Sequence, residues 1–561
     1  MLEPPHRLLF SVVLALCFTG ADAVATAEVE QRKWRGSSAA TRSFLASLVA
    51  ADRPVVITGA PWVASKRSAF APARWTPRAI AQRGGRRRVK IKYSTTTPTF
   101  GLGCCPLHDA SVAMLLNETH AAGASSGAAH VYFAGPIAEV EESGVADASG
   151  VQAALEAMRL LDVEAAQSKA TLWIGSRGSI TPCHYDEMHN LFLQLHGAKR
   201  FTLWPPSAWR HLYLAPKFDS QHRNVDRAAY RDLSAQRFDR FPALRFAQRA
   251  ALSVTLRPGE LLYLPPLWFH EVQALGRTTI SANVWSAARV VAQMNEAWTL
   301  ALPLRPDVWP IAGTVAVAGH FVRAIVTRAL SARRARSGGG GDDHAWSSTR
   351  DALGFLATLV ETRYAHREKA AGRVGHPAAT NAEIAEKEEE EVSSSYESEH
   401  RARHARYLER VERESPSFLS QADTTAVVGV GEELGGEAAA AAAVDVGADG
   451  GVSDPELEPA AGRGRGRGRP EQRPPPFEEW CGRAAQLSLE GSLAEFDAAE
   501  LFAAADAIGA QLGAARTSDA GASEIFLANF IEDLAGQVVG YEHVSGFFKN
   551  CAAFYITYTR L

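Results

Sequence analysis

The 561-residue chain lacks an excess of either charge: 59 Lys and Arg face 62 Asp and Glu, for a formal net charge of −3. That balance gives no support to nucleic acid as a partner of the whole chain. It also lacks an uninterrupted run of about twenty apolar residues, the length a bilayer-crossing helix needs. Two stretches come near. Leu8 to Phe18 is too short, and "VWPIAGTVAVAG" (308–319) is cut by His320 and Arg323, so it reads as a packed helix. No zinc-finger or chromatin-reader segment is present, and no repeat beyond a Gly-Arg tract.

Cysteines number six. The first, Cys17, lies in "MLEPPHRLLFSVVLALCFTGADAVATAE", where a weakly basic start precedes an apolar core and then small residues at Ala21 and Ala23. This is the pattern of a cleaved signal peptide, here residues 1–23, and it predicts entry into the secretory pathway, to the ER or Golgi lumen or the exterior. Its removal leaves five cysteines, so at least one thiol is free. Cys481 and Cys551 bracket the C-terminal segment and could pair in an oxidising lumen. Adjacent Cys104 and Cys105 are poorly placed to bond each other. Asn117, in "NET", is a candidate glycosylation site, and the terminal "YTRL" is not a retention signal of the KDEL type.

Residues 28–290 read as one globular unit rich in short strands. "RPVVITGA" is β-branched and closed by a glycine turn, and "RRRVKIKY" alternates charged and apolar residues as an exposed edge does. "ATLWIGS", "LFLQLHGAKRFTLWPP", "ALSVTLRPGELLYLPP" and "TISANVWSA" are further strand-length runs broken by Gly and Pro. Many short strands at such spacing predict a sandwich or barrel over a βαβ sheet. Residues 150–167 read as a helix ahead of the core strands. Residues 291–367 turn helical. Residues 368–478, with "EKEEEEVSSS" and "GRGRGRGRP", bury too little apolar surface to offset chain entropy and read as a disordered linker. Residues 479–561 read as a small helical appendage without chemistry, in which Leu501, Ala505, Ile508 and Leu512 share one face, as do Leu527, Phe530, Leu534 and Val538.

Chemistry concentrates in "TPCHYDEMHNLFL" (181–193). On a strand, positions 184 and 186 face the same way, so His184 and Asp186 can grip one ion from one strand. His270, ending the run "GELLYLPPLWFH", is the candidate third ligand. Two histidines and one carboxylate on one face of a metal leave positions open, an arrangement suited to Fe(II) oxygen chemistry. His189, His196 and His211 read as structural histidines.

These residues resemble the JmjC family of 2-oxoglutarate oxygenases. The likeness runs through "TPCHYDEMHNLFLQLHGAKRFTLWPP", "RFPAL", "PGELLYLP" and "ISANVW", about residues 50–290, and within the family it is strongest to the asparaginyl hydroxylase that inhibits hypoxia-inducible factor. His-x-Asp alone is a weak motif; joined to the following lysine, the PGE-x-LYLP run and the distal histidine it is strong.

The resemblance implies a double-stranded β-helix, the cupin or jelly-roll fold, mainly β with flanking helices and C-terminal helical segments. It implies that His184, Asp186 and His270 bind Fe(II). Lys199 would pair with the distal carboxylate of 2-oxoglutarate, and Thr181 would donate to the same carboxylate. Tyr132 either completes this cradle or is a plain core tyrosine. Asn190 and Asn283 would line the site, and Phe192 and Trp285 would wall it. Implied too are O2 as co-substrate, a protein substrate, and a homodimer through residues 290–365. The reaction expected is C–H hydroxylation coupled to decarboxylation of 2-oxoglutarate to succinate. The rival readings are lysine demethylation and a non-catalytic cupin scaffold; the intact triad and Lys199 speak against the second.

Overall fold

The computed structural model describes residues 27–34, 38–64, 70–101, 104–124, 129–137, 171–304, 311–336, 344–366, 498–515 and 517–551. The expected signal peptide, the helix expected at 150–167, the linker expected at 368–478 and Cys481 lie outside these residues. Cys551 is disulfide-bonded, and Cys104, Cys105 and Cys183 are free thiols.

Fourteen strands build two facing sheets among the described residues. In chain order they are β1 (Ala27–Glu28), β2 (Glu30–Lys33), β3 (Val55–Thr58), β4 (Arg88–Ser94), β5 (Leu107–Ser111), β6 (His130–Pro136) and β7 (Thr171–Ser176). There follow β8 (Ile180–His184), β9 (His189–His196), β10 (Lys199–Trp204), β11 (Leu252–Leu256), β12 (Leu261–Leu264), β13 (Phe269–Ala274) and β14 (Thr278–Ser286). The smaller sheet has the order β1-β11-β10-β13-β8, and the larger β2-β3-β12-β9-β14-β7-β6-β4-β5. From β8 to β14 the chain changes sheet at every step except β10 to β11, the back-and-forth winding of a jelly roll.

Period-two alternation assigns every side chain of these strands to one of two environments. On β9, Phe192 points between the sheets, where it meets Phe201, Leu203, Leu256, Leu262 and Leu264. Its neighbours Leu191, Leu193 and Leu195 point to the outer face, under the helices. A strand buried on both faces reads as a near-continuous apolar run, and "LFLQL" departs from it only at Gln194, whose amide donates to the His196 and Ile280 carbonyls. The turn from β9 to β10 needs Gly197: its φ is +68°, and a Cβ there would stand 2.6 Å from the carbonyl oxygen of Thr278.

Helices cover both outer faces. The larger sheet carries α1 (Ser38–Ala51), α2 (Pro77–Gly84) and α3 (Val112–Ala124), contributing Leu45, Leu48, Ile80, Leu115 and Leu116 to its outer core. Thr76 caps α2, accepting from the N–H of Ala79 at 3.2 Å, with Pro77 at the first helical position. Outside the smaller sheet lie α4 (Ile311–Arg336), α5 (His344–Val360), α6 (Ala498–Ala514) and α7 (Ala520–Val539). The stretch Gly313–Ala335 of α4 is long and apolar enough to cross a membrane, yet 56% of its apolar window is buried inside the protein, as a packed core helix requires.

The C-terminal helices are not an appendage. Among the described residues, those from 498 to 551 share one compact unit with those from 27 to 366. Leu501, Ala505, Ile508 and Leu512 of α6 and nearly all of α7 are buried in one core with Cys183, Tyr185, Trp209 and Phe269 of the sheet region. The expected apolar face on α7 is only part of what is buried, because α7 is enclosed on all sides. The helices at 290–365 thus have C-terminal partners within the same chain, and a dimer through them would use the surface that remains.

Candidate metal and co-substrate site

The smaller sheet sets the site by register. His270 on β13 is paired with His184 on β8 and with Leu203 on β10. Directly opposed residues face the same side, so the two imidazoles point together into the space between the sheets. Their ring centroids are 4.2 Å apart. His184, Asp186 and His270 each offer one ligand atom, and these atoms lie within 4.8 Å of one another.

Two details differ from expectation. Asp186 is not on the strand: β8 ends at His184, because the N–H of Tyr185 leaves the ladder to donate to the Arg223 carbonyl at 3.1 Å. Asp186 reaches the histidines from the following turn, held by Leu267, whose N–H donates to the Asp186 carbonyl at 2.7 Å. The run ending at His270 is likewise two strands, since Pro265 and Pro266 break the ladder between β12 and β13.

The backbone chooses the histidine tautomers. The Nδ1 of His184 lies 2.8 Å from the Pro182 carbonyl oxygen, and the Nδ1 of His270 lies 3.1 Å from that of Trp268. A carbonyl only accepts, so Nδ1 carries a proton in both rings and Nε2 is the nitrogen left to face a metal. The Nε2 of His270 is 3.8 Å from Oδ2 of Asp186. Burial, and then His184, push the His270 pKa down to about 4, so the ring is neutral and able to ligate. Burial alone would raise Asp186, but His184, His270 and the indole N–H of Trp285, donating at 3.0 Å, together hold it below the usual carboxylate range. Two imidazoles and a carboxylate are the donor set of a divalent metal with open positions.

Lys199 opens β10, and its register partner is Ala274. Lys199, Phe201 and Leu203 alternate onto the same buried face as His270. The ammonium lies inside, 3% exposed. It donates to Oγ of Ser281 at 2.8 Å and sits 5.3 Å from the centre of the Phe192 ring. Among the described residues no carboxylate pairs with it, and burial pushes its pKa down to about 7. A buried cation with one neutral hydrogen bond is half of an ion pair, and an anionic ligand would complete it.

The structure brings the other predicted residues into the same space. Tyr132 is buried, its hydroxyl 2.9 Å from Oγ1 of Thr181 and its ring stacked on Phe100 at 5.1 Å. Burial pushes the Tyr132 pKa up to about 12, so the phenol stays a donor. Asn283 donates to Oδ1 of Asn190 at 3.0 Å and accepts from the Trp173 indole at 2.7 Å. Phe192 packs edge-on against Phe201. Sequence reasoning missed Ser281 and Trp173. The signal for Ser281 was available: in "ISANVW" it alternates with Asn283 and Trp285, and so shares their face. His189 is buried against the Tyr263 hydroxyl at 3.0 Å, the structural place expected for it.

Comparison with known proteins agrees with this fold. Residues 41–289 match the family described as the cupin-like domain. Similar proteins include human HSPB1-associated protein 1, 41% identical over 120 residues that make up 21% of this chain and 23% of that protein. Jumonji C domain-containing protein 5 of Drosophila melanogaster is 33% identical over 113 residues, 20% of this chain and 26% of its own. Lysine-specific demethylase JMJ31 of Arabidopsis thaliana is 29% identical over 131 residues, 23% of each chain. The aligned part thus spans about a quarter of each relative's length. The JmjC resemblance of the cupin-like domain holds at this level, whereas the likeness to the asparaginyl hydroxylase rests on the sequence motifs alone.

Proposed function

We propose that the chain is an Fe(II)- and 2-oxoglutarate-dependent oxygenase that hydroxylates a protein. The observation that carries this reading is one inward sheet face that bears two kinds of donor. His184, Asp186 and His270 gather at one place, and Lys199 is a buried, carboxylate-free ammonium on the same strand face. The first set fits Fe(II), and the second fits the distal carboxylate of a 2-oxo diacid.

When bound, the iron and its co-substrate would supply the oxidising power for cleaving an unactivated C–H bond. The chain's own residues would bind and exclude. Lys199 and Ser281, with Thr181 and Tyr132 beside them, would fix the far end of 2-oxoglutarate. Trp285 would hold Asp186 by its indole N–H. Phe192 and the Leu262–Leu264 strand would keep water from the space behind the metal.

A protein substrate is favoured by the company the domain keeps: a relative is named for its association with HSPB1, and the exposed side chain of Met188, two residues past Asp186, offers an apolar contact beside the centre. Demethylation of lysine is the second reading, favoured by the name of the JMJ31 relative. Succinate release from purified protein with Fe(II), 2-oxoglutarate and candidate peptides tests the oxygenase. Mass spectrometry of secreted or lumenal proteins, with and without the enzyme, then separates the two chemistries. Stable gain of one oxygen supports hydroxylation, release of formaldehyde supports demethylation, and neither, with no succinate, leaves a cupin scaffold. The predicted signal peptide makes the secretory route the compartment to search first.

A further inference from the structure

Helix α7 reaches the candidate metal centre from behind. The alternation that turns His184 inward turns Tyr185 outward. Tyr185 is buried there, its ring edge-to-face at 5.4 Å with Phe269, the residue before His270. Its hydroxyl accepts from Nδ2 of Asn529 at 3.0 Å, a contact across 344 residues of chain. The amide of Asn529 is itself oriented, because its Oδ1 accepts from Arg363 at 3.2 Å. Arg363 also pairs with Glu532, one helical turn further along α7, and both are fully buried.

Glu532 makes the second grip. It accepts from the backbone N–H of Lys217 at 2.9 Å. Lys217 belongs to the loop in which Asn224 bridges to His184 and the Arg223 carbonyl takes the N–H of Tyr185. Arg223 holds a left-handed backbone, φ +77°, that a non-glycine residue adopts only when its surroundings impose it. One helix therefore holds Tyr185 by its side chain and, through Glu532, holds the loop that takes its main chain. Tyr185 is the single residue between the ligands His184 and Asp186.

We propose that Asn529 and Glu532 of α7 are positioning residues for the metal centre: by holding Tyr185 they set the spacing of His184 and Asp186, so the metal affinity of the cupin-like domain depends on a helix encoded near the C-terminus. The proposal rests on the metal-binding reading above. It adds that residues 498–551 complete the centre, and are not only packing for it.

The test uses the full chain stripped of metal and titrated with Co(II), followed by calorimetry and by the visible spectrum of the bound ion. Asn529→Leu and Tyr185→Phe are compared with the unaltered protein and with His184→Ala, each well below its own melting temperature. Tyr185→Phe deletes only the hydroxyl, and it keeps the test sound should Asn529→Leu fold poorly. Each of the two is expected to weaken Co(II) binding about tenfold and to shift the spectrum, the lower end of what outer partners of a metal ligand contribute. The double variant is expected to be no weaker than either single one, since both remove one bond. Unchanged affinity and spectrum in both variants, with binding lost in His184→Ala, would overturn the positioning role and leave the metal reading standing. No Co(II) uptake by the unaltered protein would overturn both.

Discussion

The N–H of Leu267 donates to the carbonyl of Asp186 at 2.7 Å, so the turn that aims His270 also holds the loop that carries Asp186. Leu267 does this in a left-handed conformation, φ +67°, unusual for a branched side chain. It is fully buried against Tyr185, Phe269 and their neighbours. Leu267→Ala would keep the backbone donor but remove the packing that seats this turn, at about 2–5 kcal/mol for a buried leucine. Denaturant unfolding is expected to show this loss, and the surviving folded protein to bind metal more weakly.

Trp285 offers a cleaner separation of stability from ligation. Its indole N–H is the hydrogen-bond donor to Asp186 Oδ2, and its ring lies against Trp173. Trp285→Phe keeps much of the ring packing and removes the N–H. Metal affinity is expected to fall about tenfold in calorimetric titration, with little change in melting temperature.

Lys199 yields two effects of opposite sign. Lys199→Met removes a buried ammonium that no carboxylate offsets, so the unliganded protein is expected to melt at a higher temperature. The same change removes the partner of the distal carboxylate, and the apparent affinity for 2-oxoglutarate is expected to fall between about tenfold and a hundredfold, the range for a hydrogen bond to a charged group. Metal binding is expected to be unaltered. Scanning calorimetry and ligand titration check the two halves separately.

The same lysine sets a pH dependence. Burial has brought its pKa down to about 7, whereas the unfolded chain holds the proton up to about 10.4. Binding a carboxylate favours the ammonium, so above pH 7 each ligand bound draws a proton from solution. The affinity for 2-oxoglutarate is expected to fall by about tenfold per pH unit above 7. Titrations in buffers of different ionisation enthalpy measure the proton uptake. Stability of the unliganded protein moves the other way: the unfolded chain binds more protons between these two values, so this group's contribution rises with pH across that window.

Gly521 tests how closely α7 is seated. A Cβ there would stand 2.2 Å from the backbone nitrogen of Ser207. Backbone cannot yield as a flexible side chain does, so Gly521→Val is expected to displace the helix start and to destabilise the protein by about 2 kcal/mol or more, read from the shift in the urea midpoint.

Much of the site could be read from local patterns. His184 and Asp186 stand two apart beside a strand, and Lys199 and His270 lie in runs whose turns are marked by Gly and Pro. Period-two alternation separates Phe192 from Leu191 and Leu193 without any coordinates. The strand end at His184 could not be read this way, because it is imposed by Arg223 from a separate loop. Asn529 could not be read at all: its contact joins residues far apart in sequence, and α7 is buried on every side, so no amphipathic period marks the face that meets Tyr185. The C-terminal helices looked peripheral because a long low-complexity stretch precedes them. Packing, which joins them to the sheet core through Tyr185 and Trp209, decided otherwise.

The central claim is that three side chains hold one ferrous ion beside a lysine that receives a 2-oxo diacid. Anaerobic visible absorption of the Fe(II)-loaded protein, titrated with 2-oxoglutarate, tests it most directly, because a 2-oxo acid chelating ferrous iron gives a charge-transfer band. The expected result is a saturable band in the unaltered protein, absent in His270→Ala, and appearing only at much higher 2-oxoglutarate in Lys199→Met. A protein that takes up Fe(II) without forming the band, or forms it equally well without His270, would contradict the account.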